Sequence, residues 1–247
     1  MVKLETKGIT KSFDHNVVIQ DINIVLKENE LVSLLGVSGA GKTTLFNVIS
    51  GLVEPDEGKV LLDGEDITGK SGHISYMLQK DLLIPFKTIE DNVAMPLLLK
   101  GMKKKEAREQ VAPYFKEFGL EGMNKKYPCQ LSGGMCQRAA FLRTYMFSSK
   151  ITLLDEPFSA LDTITKRTMH SWYLSIMEKI QLSTVFITHD IDEAILLSDR
   201  IYLLTGKPGR ITKEIKIEKE RPREEDFVLT EEFLSYKREI IDALKLG

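Results

Sequence analysis

Apolar and polar positions along the first 51 residues predict strands, a loop and a helix. β-Branched runs at 17–19 and 22–26 are followed by a polar turn and then by a short apolar run at 31–35. Such a run is typical of a strand that is buried on both faces. Glycines follow at once at positions 36, 39 and 41, and 42–50 then carries apolar residues at a helical spacing that Gly51 ends.

The pattern changes in the middle of the chain and then returns. Residues 80–149 lose β character and become helical and charged, whereas strand-like runs reappear at 151–154, 183–187 and 200–204. Strands that alternate with helices imply parallel pairing and a sheet covered on both faces. After residue 208 come a further β-like run at 211–217 and a helix from residue 230. We therefore predict an α/β fold with a parallel-type central sheet.

Composition excludes several classes of protein. Of the 247 residues, 43% are hydrophobic and 28% are charged, which argues against disordered, collagenous and disulfide-framework proteins. The net charge of −2 provides no overall field for nucleic acid, so we expect no nucleic-acid partner. The first 13 residues do not resemble a signal peptide, and the apolar stretches are too short to cross a bilayer. The chain is expected neither to enter nor to cross a membrane by itself.

Residues 36–43, GVSGAGKT, fit the phosphate-binding P-loop pattern after a buried strand and before a helix. Glycines let backbone N–H groups converge on one anion, and the helix N-terminus adds about half a positive charge. Lys42 is expected to bridge the β- and γ-phosphates, and the Thr43 hydroxyl to bind Mg²⁺. The predicted phosphate-binding residues are Gly36, Ser38, Gly39, Ala40, Gly41, Lys42, Thr43 and Thr44.

A second element places two carboxylates after a buried strand. The apolar run 151–154 ends in Asp155, Glu156 and Pro157. Ligands of open parallel sheets bind beyond the carboxyl ends of the strands, so these acids are expected near the P-loop. Asp155 suits the Mg²⁺ shell, while Glu156 suits the water that it would orient and deprotonate. These two elements leave open ATP hydrolysis for work, GTP switching and phosphoryl transfer to a small molecule.

A third motif distinguishes among these three activities. Residues 131–138, LSGGMCQR, resemble the signature of ABC ATPases, in which a serine and two glycines at a helix start form a second anion cradle. The resemblance implies a head-to-tail dimer with two ATP molecules, each held between the P-loop of one chain and Ser132, Gly133 and Gly134 of the other. Cys136 stands where a basic residue is common, and we expect its thiol to make the site sensitive to alkylation.

Four further positions match the ABC ATPases in chain order. Residue Gln79 matches the Q-loop, residues 159–162 the D-loop, His189 the H-loop and Phe13 the adenine-stacking position. The resemblance implies that Gln79 senses Mg²⁺ and the attacking water, and that His189 holds the γ-phosphate. The expected cofactors are ATP and Mg²⁺. The other three histidines receive no role.

The resemblance also implies a division of the chain. We expect a single ABC ATPase domain over 1–247, with an N-terminal antiparallel β subdomain and an inserted α-helical subdomain. Its parts are a β subdomain that includes 1–30, a nucleotide-binding core at 31–79 and 150–205, a helical subdomain at 80–149 and a C-terminal extension at 206–247.

The same family suggests what the hydrolysis drives. A separate membrane permease is implied, docked in a groove near 79–86, together with an extracytoplasmic solute-binding protein; the chain would lie peripherally on the cytoplasmic face of the membrane. LSGGM and the sequence PGRI at 208–211 look like the ATPases of nitrate, sulfonate, taurine and pyrimidine-type importers. The alternatives are the ATPase of an exporter or a lipoprotein-release complex, and a soluble ABC protein that acts on ribosomes or DNA. A P-loop kinase explains neither LSGG nor His189.

Overall fold

The computed structural model describes residues 1–147 and 151–246 and contains two β-sheets. The first is antiparallel, with strand order β2-β1-β4-β5. Its strands are β1 (Val2–Phe13), β2 (Asn16–Lys27), β4 (Glu57–Leu62) and β5 (Glu65–Asp66). Asp14 and His15 join β1 to β2 with φ of 48° and 65°. Two successive left-handed residues match the right-handed twist of a hairpin, so the chain reverses tightly here.

The second sheet has the order β10-β9-β3-β8-β7-β6 and confirms the predicted α/β fold. Its strands are β3 (Leu31–Gly36), β6 (Ser75–Met77), β7 (Ile151–Asp155), β8 (Ser183–Thr188), β9 (Arg200–Thr205) and β10 (Arg210–Lys216). All neighbouring pairs are parallel except β9 and β10. Every residue of β3, β7, β8 and β9 is buried, as expected for strands covered on both faces.

Helices pack around this sheet in three apolar clusters. The helices are α1 (Lys42–Ile49), α2 (Ile89–Val93), α3 (Met95–Leu99), α4 (Lys104–Val111), α5 (Tyr114–Glu117), α6 (Gly133–Phe147), α7 (Thr163–Ile180), α8 (Ile191–Leu197) and α9 (Glu231–Leu246), with 3-10 turns at Pro128–Gln130 and Glu225–Leu229. One cluster joins α2–α7, a second joins α1 to the antiparallel sheet, and a third joins α8, α9 and β10. No helix within the described ranges is long and apolar enough to span a bilayer.

Strands β4 and β5 extend the antiparallel sheet. They lie within the segment 31–79 of the predicted division, and β4 pairs with β1 while β5 pairs with β4. Gly58 makes the pairing possible, because a Cβ there would lie 2.5 Å from the carbonyl oxygens of Lys7 and Gly8. The pattern of a short strand does not say which sheet it joins. The expected boundary between 80–149 and 150–205 falls at 148–150, outside the described residues.

Candidate nucleotide-binding site

Four neighbouring parallel strands end at one edge of the larger sheet and bring the predicted site together. Their order is β3, β8, β7 and β6. The P-loop follows β3, His189 follows β8, and Asp155 with Glu156 ends β7; Gln79 lies two residues beyond β6. Gln79 and His189 are 110 positions apart in the chain. They meet at this edge because the strands that precede them run in the same direction.

The P-loop is shaped by glycines and by the strand behind it. Gly39 and Gly41 have φ of 81° and 94°, a region that favours glycine. A Cβ at Gly41 would lie 2.4 Å from Ile19 Cγ2, so the loop lies directly against β2. Lys42 Nζ donates to Gly36 O at 2.7 Å and to Val37 O at 3.0 Å. Burial lowers the pKa of Lys42. The nearby carboxylates of Glu156 and Asp155 act in the opposite direction, because negative charge favours the ammonium form.

Asp155 is the buried member of the acid pair. Tyr76 Oη donates to Asp155 Oδ2 at 3.3 Å, and the Thr43 side chain lies near enough to this carboxyl to favour its ionised form. Burial raises the pKa of Asp155 and outweighs the hydrogen bond from Tyr76. A hydroxyl and a carboxylate supply the oxygen ligands that Mg²⁺ takes from a protein when phosphates complete its coordination. The residues present therefore fit the predicted cation.

Glu156 is the point where three sequence motifs meet. Its Oε2 accepts from Gln79 Nε2 at 3.1 Å, and its Oε1 lies 3.1 Å from His189 Nδ1. Gln79 Nε2 is also 3.4 Å from Ser159 Oγ. Glu156 has a φ of 45°, an uncommon backbone conformation for a residue with a side chain. Its N–H donates to Ile187 O at 3.0 Å, which holds this conformation against β8.

The signature residues 132–134 lie at the start of α6, next to α7. Ser132 precedes α6, and its Oγ accepts weakly from Met135 N at 3.4 Å. A Cβ at Gly134 would lie 3.3 Å from Thr165 Cγ2, so this turn borders the start of α7. Within the described part of the chain, no hydrogen bond or ion pair joins 132–134 to the P-loop residues 36–44. The structure thus brings together Lys42, Thr43, Asp155, Glu156, Gln79 and His189, but not the signature turn.

Phe13 lies at the end of β1 with 46% of its surface exposed. Lys11 Nζ is 5.5 Å from the centre of its ring. The ring lies outside the three apolar clusters, and Lys11 lies over one of its faces.

Sequence reasoning missed two features of the site. Tyr76 reaches Asp155 from the neighbouring strand, a contact that depends on the register of β6 and β7. The turn at 206–210 supports the P-loop: Gly209 N donates to Val18 O at 2.9 Å, and a Cβ at Gly209 would lie only 2.0 Å from Ala40 O. The sequence signal for this turn is the proline–glycine pair at 208–209, which is typical of a turn.

The fold and the site define a P-loop nucleotide-binding protein. Residues 19–159 match the ABC transporter family. A formylaminopyrimidine import ATP-binding protein of Halalkalibacterium halodurans is 45% identical over 81% of this chain and 78% of its own length. An uncharacterized ABC transporter ATP-binding protein of Methanocaldococcus jannaschii is 43% identical over 99% of this chain and 92% of its own length. A nitrate import ATP-binding protein of Synechocystis is 36% identical over 93% and 89%.

Solved structures agree with this assignment. The dimeric structure of a bacterial ABC transporter cassette has a TM-score of 0.74 and 31% identity, over 88% of this chain and 100% of that one. The same cassette in a dimer bound to ADP and phosphate has a TM-score of 0.73. The chain belongs to the ABC transporter family, and it is an ATP-binding ATPase of that family.

Proposed function

We propose that this chain is the ATP-hydrolysing subunit of an importer for a small solute of the nitrate, sulfonate, taurine or pyrimidine type. The contact of Glu156 with both Gln79 and His189 is the observation that carries the proposal. A carboxylate held by two such groups beside a P-loop is suited to orient and deprotonate an attacking water. The names of similar proteins, which import formylaminopyrimidine, aliphatic sulfonates and nitrate, support the solute class.

Each residue of the site has a distinct task in this proposal. The N–H groups of the P-loop and the Lys42 ammonium bind the phosphates, which requires Lys42 to exchange its loop carbonyls for phosphate oxygens. Thr43 and Asp155, with Gln79 beside them, would hold Mg²⁺, which neutralises charge on the phosphates when it is bound. Glu156 orients the water and accepts its proton. His189 then donates a hydrogen bond to the γ-phosphate, and Phe13 stacks on adenine.

The second anion cradle supports a shared site. Ser132 precedes α6, and Gly133 and Gly134 begin it, so the N–H groups of this helix start attract an anion. Among the described residues, no hydrogen bond or ion pair joins this turn to the P-loop of its own chain. A second copy in head-to-tail orientation supplies the missing partner. Each ATP would then lie between one chain's P-loop and the other chain's signature turn.

A groove beside the Q-loop suits a membrane subunit. It has a volume of about 590 Å³ and is lined by Leu52, Leu78, Leu82, Met95 and Leu99, among others. Leu82 is 53% exposed and Leu99 82%, so the groove offers unpartnered apolar surface. An amphipathic helix of a permease would bury this surface next to Gln79. The partners would include an extracytoplasmic solute-binding protein, and the chain would lie on the cytoplasmic face of the membrane.

Glu156→Gln tests the hydrolytic part of the proposal. The amide keeps the size of the side chain but cannot accept the water's proton, so ATP binding is retained while hydrolysis falls by at least about 100-fold. With ATP and Mg²⁺ the variant should elute as a dimer on gel filtration, because the closed assembly no longer reopens. A variant that stays monomeric at saturating ATP contradicts the shared site.

Leu82→Arg tests the groove. A charge there should prevent co-purification with the permease and leave the ATPase rate of the isolated chain unchanged. Leu229→Arg is the matched control, since Leu229 is 81% exposed on the C-terminal 3-10 turn. Equal co-purification of both variants would refute the assignment of the groove.

A further inference from the structure

A buried carboxylate, Glu193, lies behind the end of β8 and apart from the P-loop and the acid pair. Glu193 belongs to the first turn of α8 and is only 4% exposed. Its Oε2 accepts from Thr188 Oγ1, and its Oε1 is 2.9 Å from His170 Nε2. Burial of a carboxylate is costly unless it is hydrogen-bonded. Both oxygens of Glu193 have such partners, one from the strand and one from α7.

These bonds fix the backbone on both sides of His189. Thr188 precedes His189, and its hydroxyl donates a hydrogen bond to Glu193 Oε2. The same Oγ1 accepts a hydrogen bond from Asp190 N at 3.0 Å. Asp190 in turn caps α8 by accepting from Glu193 N at 3.1 Å. The His189 side chain itself is 64% exposed. Its orientation toward Glu156 therefore depends on how firmly the two flanking residues are held.

His170 connects Glu193 to the segment that carries Asp155 and Glu156. Its ring meets Phe158 edge to face, with 4.8 Å between the ring centres. Phe158 is 3% exposed and lies two residues after Glu156. Glu193 and His170 thus form one buried unit that touches the segment of His189 on one side and the segment of Glu156 on the other.

We propose that Glu193 and His170 are positioning residues, which hold His189 and Glu156 in register for hydrolysis. The inference rests on the proposed roles of those two residues. Neither Glu193 nor His170 touches the nucleotide in this account. Their effect is on turnover, because a small displacement of a catalytic group lowers the rate more than it lowers ground-state binding.

Steady-state ATPase kinetics of Glu193→Ala test the proposal. We expect kcat to fall about tenfold while KM for ATP stays within about twofold, the signature of an interaction needed in the transition state. His170→Phe, which keeps the ring contact with Phe158, should lower kcat by about threefold. Glu193→Gln should regain most of the rate, since the amide still accepts from Thr188. If Glu193→Ala does not fold, Thr188→Val removes the same hydrogen bond at nearly equal volume, and we expect it to lower kcat about fivefold.

Tyr173→Phe is the matched control. It removes a buried 2.8 Å hydrogen bond to Thr184 Oγ1, between the same helix α7 and strand β8 but away from His189. Glu193→Ala and Tyr173→Phe should both lower the melting temperature of the protein. Only Tyr173→Phe should keep kcat within about twofold of wild type. An equal loss of kcat in Tyr173→Phe would overturn the proposal, as would wild-type kcat in Glu193→Ala or, where that variant does not fold, in Thr188→Val.

A double variant separates this proposal from the role of His189 itself. Thr188 links Glu193 to the His189 segment alone, so Thr188→Val should lower kcat by less than about twofold in a His189→Ala background. A further fivefold loss there would contradict the positioning of His189. Wild-type activity of His189→Ala alone would instead refute the role of His189 in the proposed function.

Discussion

Gly209→Ala probes the support that the C-terminal turn gives to the P-loop. Gly209 is buried, and its backbone is held to β2 by two hydrogen bonds, from Gly209 N to Val18 O and from Gln20 N to Gly209 O, each 2.9 Å long. A methyl group at this position would lie 2.0 Å from Ala40 O. Because β2 anchors the turn, the P-loop has to move.

The expected effect follows from the size of this overlap. A carbon and an oxygen need a separation of about 3.2 Å, so Ala40 must shift by about 1 Å. An extra buried methyl group in a packed region costs about 1–3 kcal/mol. If ATP binding has to restore the loop, affinity falls by about five- to 150-fold, since each 1.4 kcal/mol is a factor of ten.

Calorimetric titration with ATP and Mg²⁺ measures this loss, with Gly206→Ala as control. Gly206 has a φ of 84°, so alanine strains the same turn, but its Cβ would contact only Pro208 O at 3.2 Å. The control should lose about 1–2 kcal/mol of stability and retain ATP affinity. An unchanged Kd for Gly209→Ala, or an equal loss in Gly206→Ala, would refute the proposed support.

Three further predictions concern single side chains of the site. Lys42→Ala should weaken ATP binding by about 10- to 150-fold, through loss of a charge-assisted contact worth about 1.5–3 kcal/mol, and calorimetry would measure it. Burial raises the pKa of Asp155, so native stability falls as pH rises through that raised pKa. Without nucleotide at neutral pH, Asp155→Asn should therefore melt at a higher temperature than wild type. In acid the two melting temperatures should converge. The variant should also lose Mg²⁺-dependent hydrolysis. A thiol reagent should modify exposed Cys129 before Cys136, because burial raises the pKa of Cys136, and mass spectrometry would give the order.

The thiol prediction revises an expectation from sequence alone. The position of Cys136 beside the signature suggested a sensitive thiol. In the structure its sulfur lies 3.6 Å from Pro128 O and is half-buried, so its reactivity is lowered. Burial of a single side chain depends on packing between distant segments, which the local pattern does not contain.

Local patterns carried the predictions that the fold confirms. The buried run at 31–35, the glycines after it and the helix from Lys42 are contiguous, and so are the run 151–154 and its two acids. The positions of Gln79 and His189 came from resemblance to a family, and the parallel order of four strands explains why they meet Glu156.

Contacts between distant segments were beyond the sequence patterns. Tyr76 reaches Asp155 through strand register, Gly209 reaches Ala40 through the return of the C-terminal turn, and His170 reaches Glu193 across two helices. Each depends on the packing of elements whose separate patterns are ordinary. A lone histidine on a helix gave no reason to assign a role.

Mixing two inactive variants tests most directly whether two chains share each ATP. Lys42→Ala weakens ATP binding at the P-loop, and Ser132→Arg blocks the signature turn. At an ATP concentration well below the Kd of Lys42→Ala, each variant alone should therefore be nearly inactive. In a mixed dimer one site combines both defects and the other has neither. We predict that mixing equal amounts restores about a quarter of the intact sites, with corresponding ATPase activity. No recovery on mixing, or full activity of Ser132→Arg alone, would contradict the shared site.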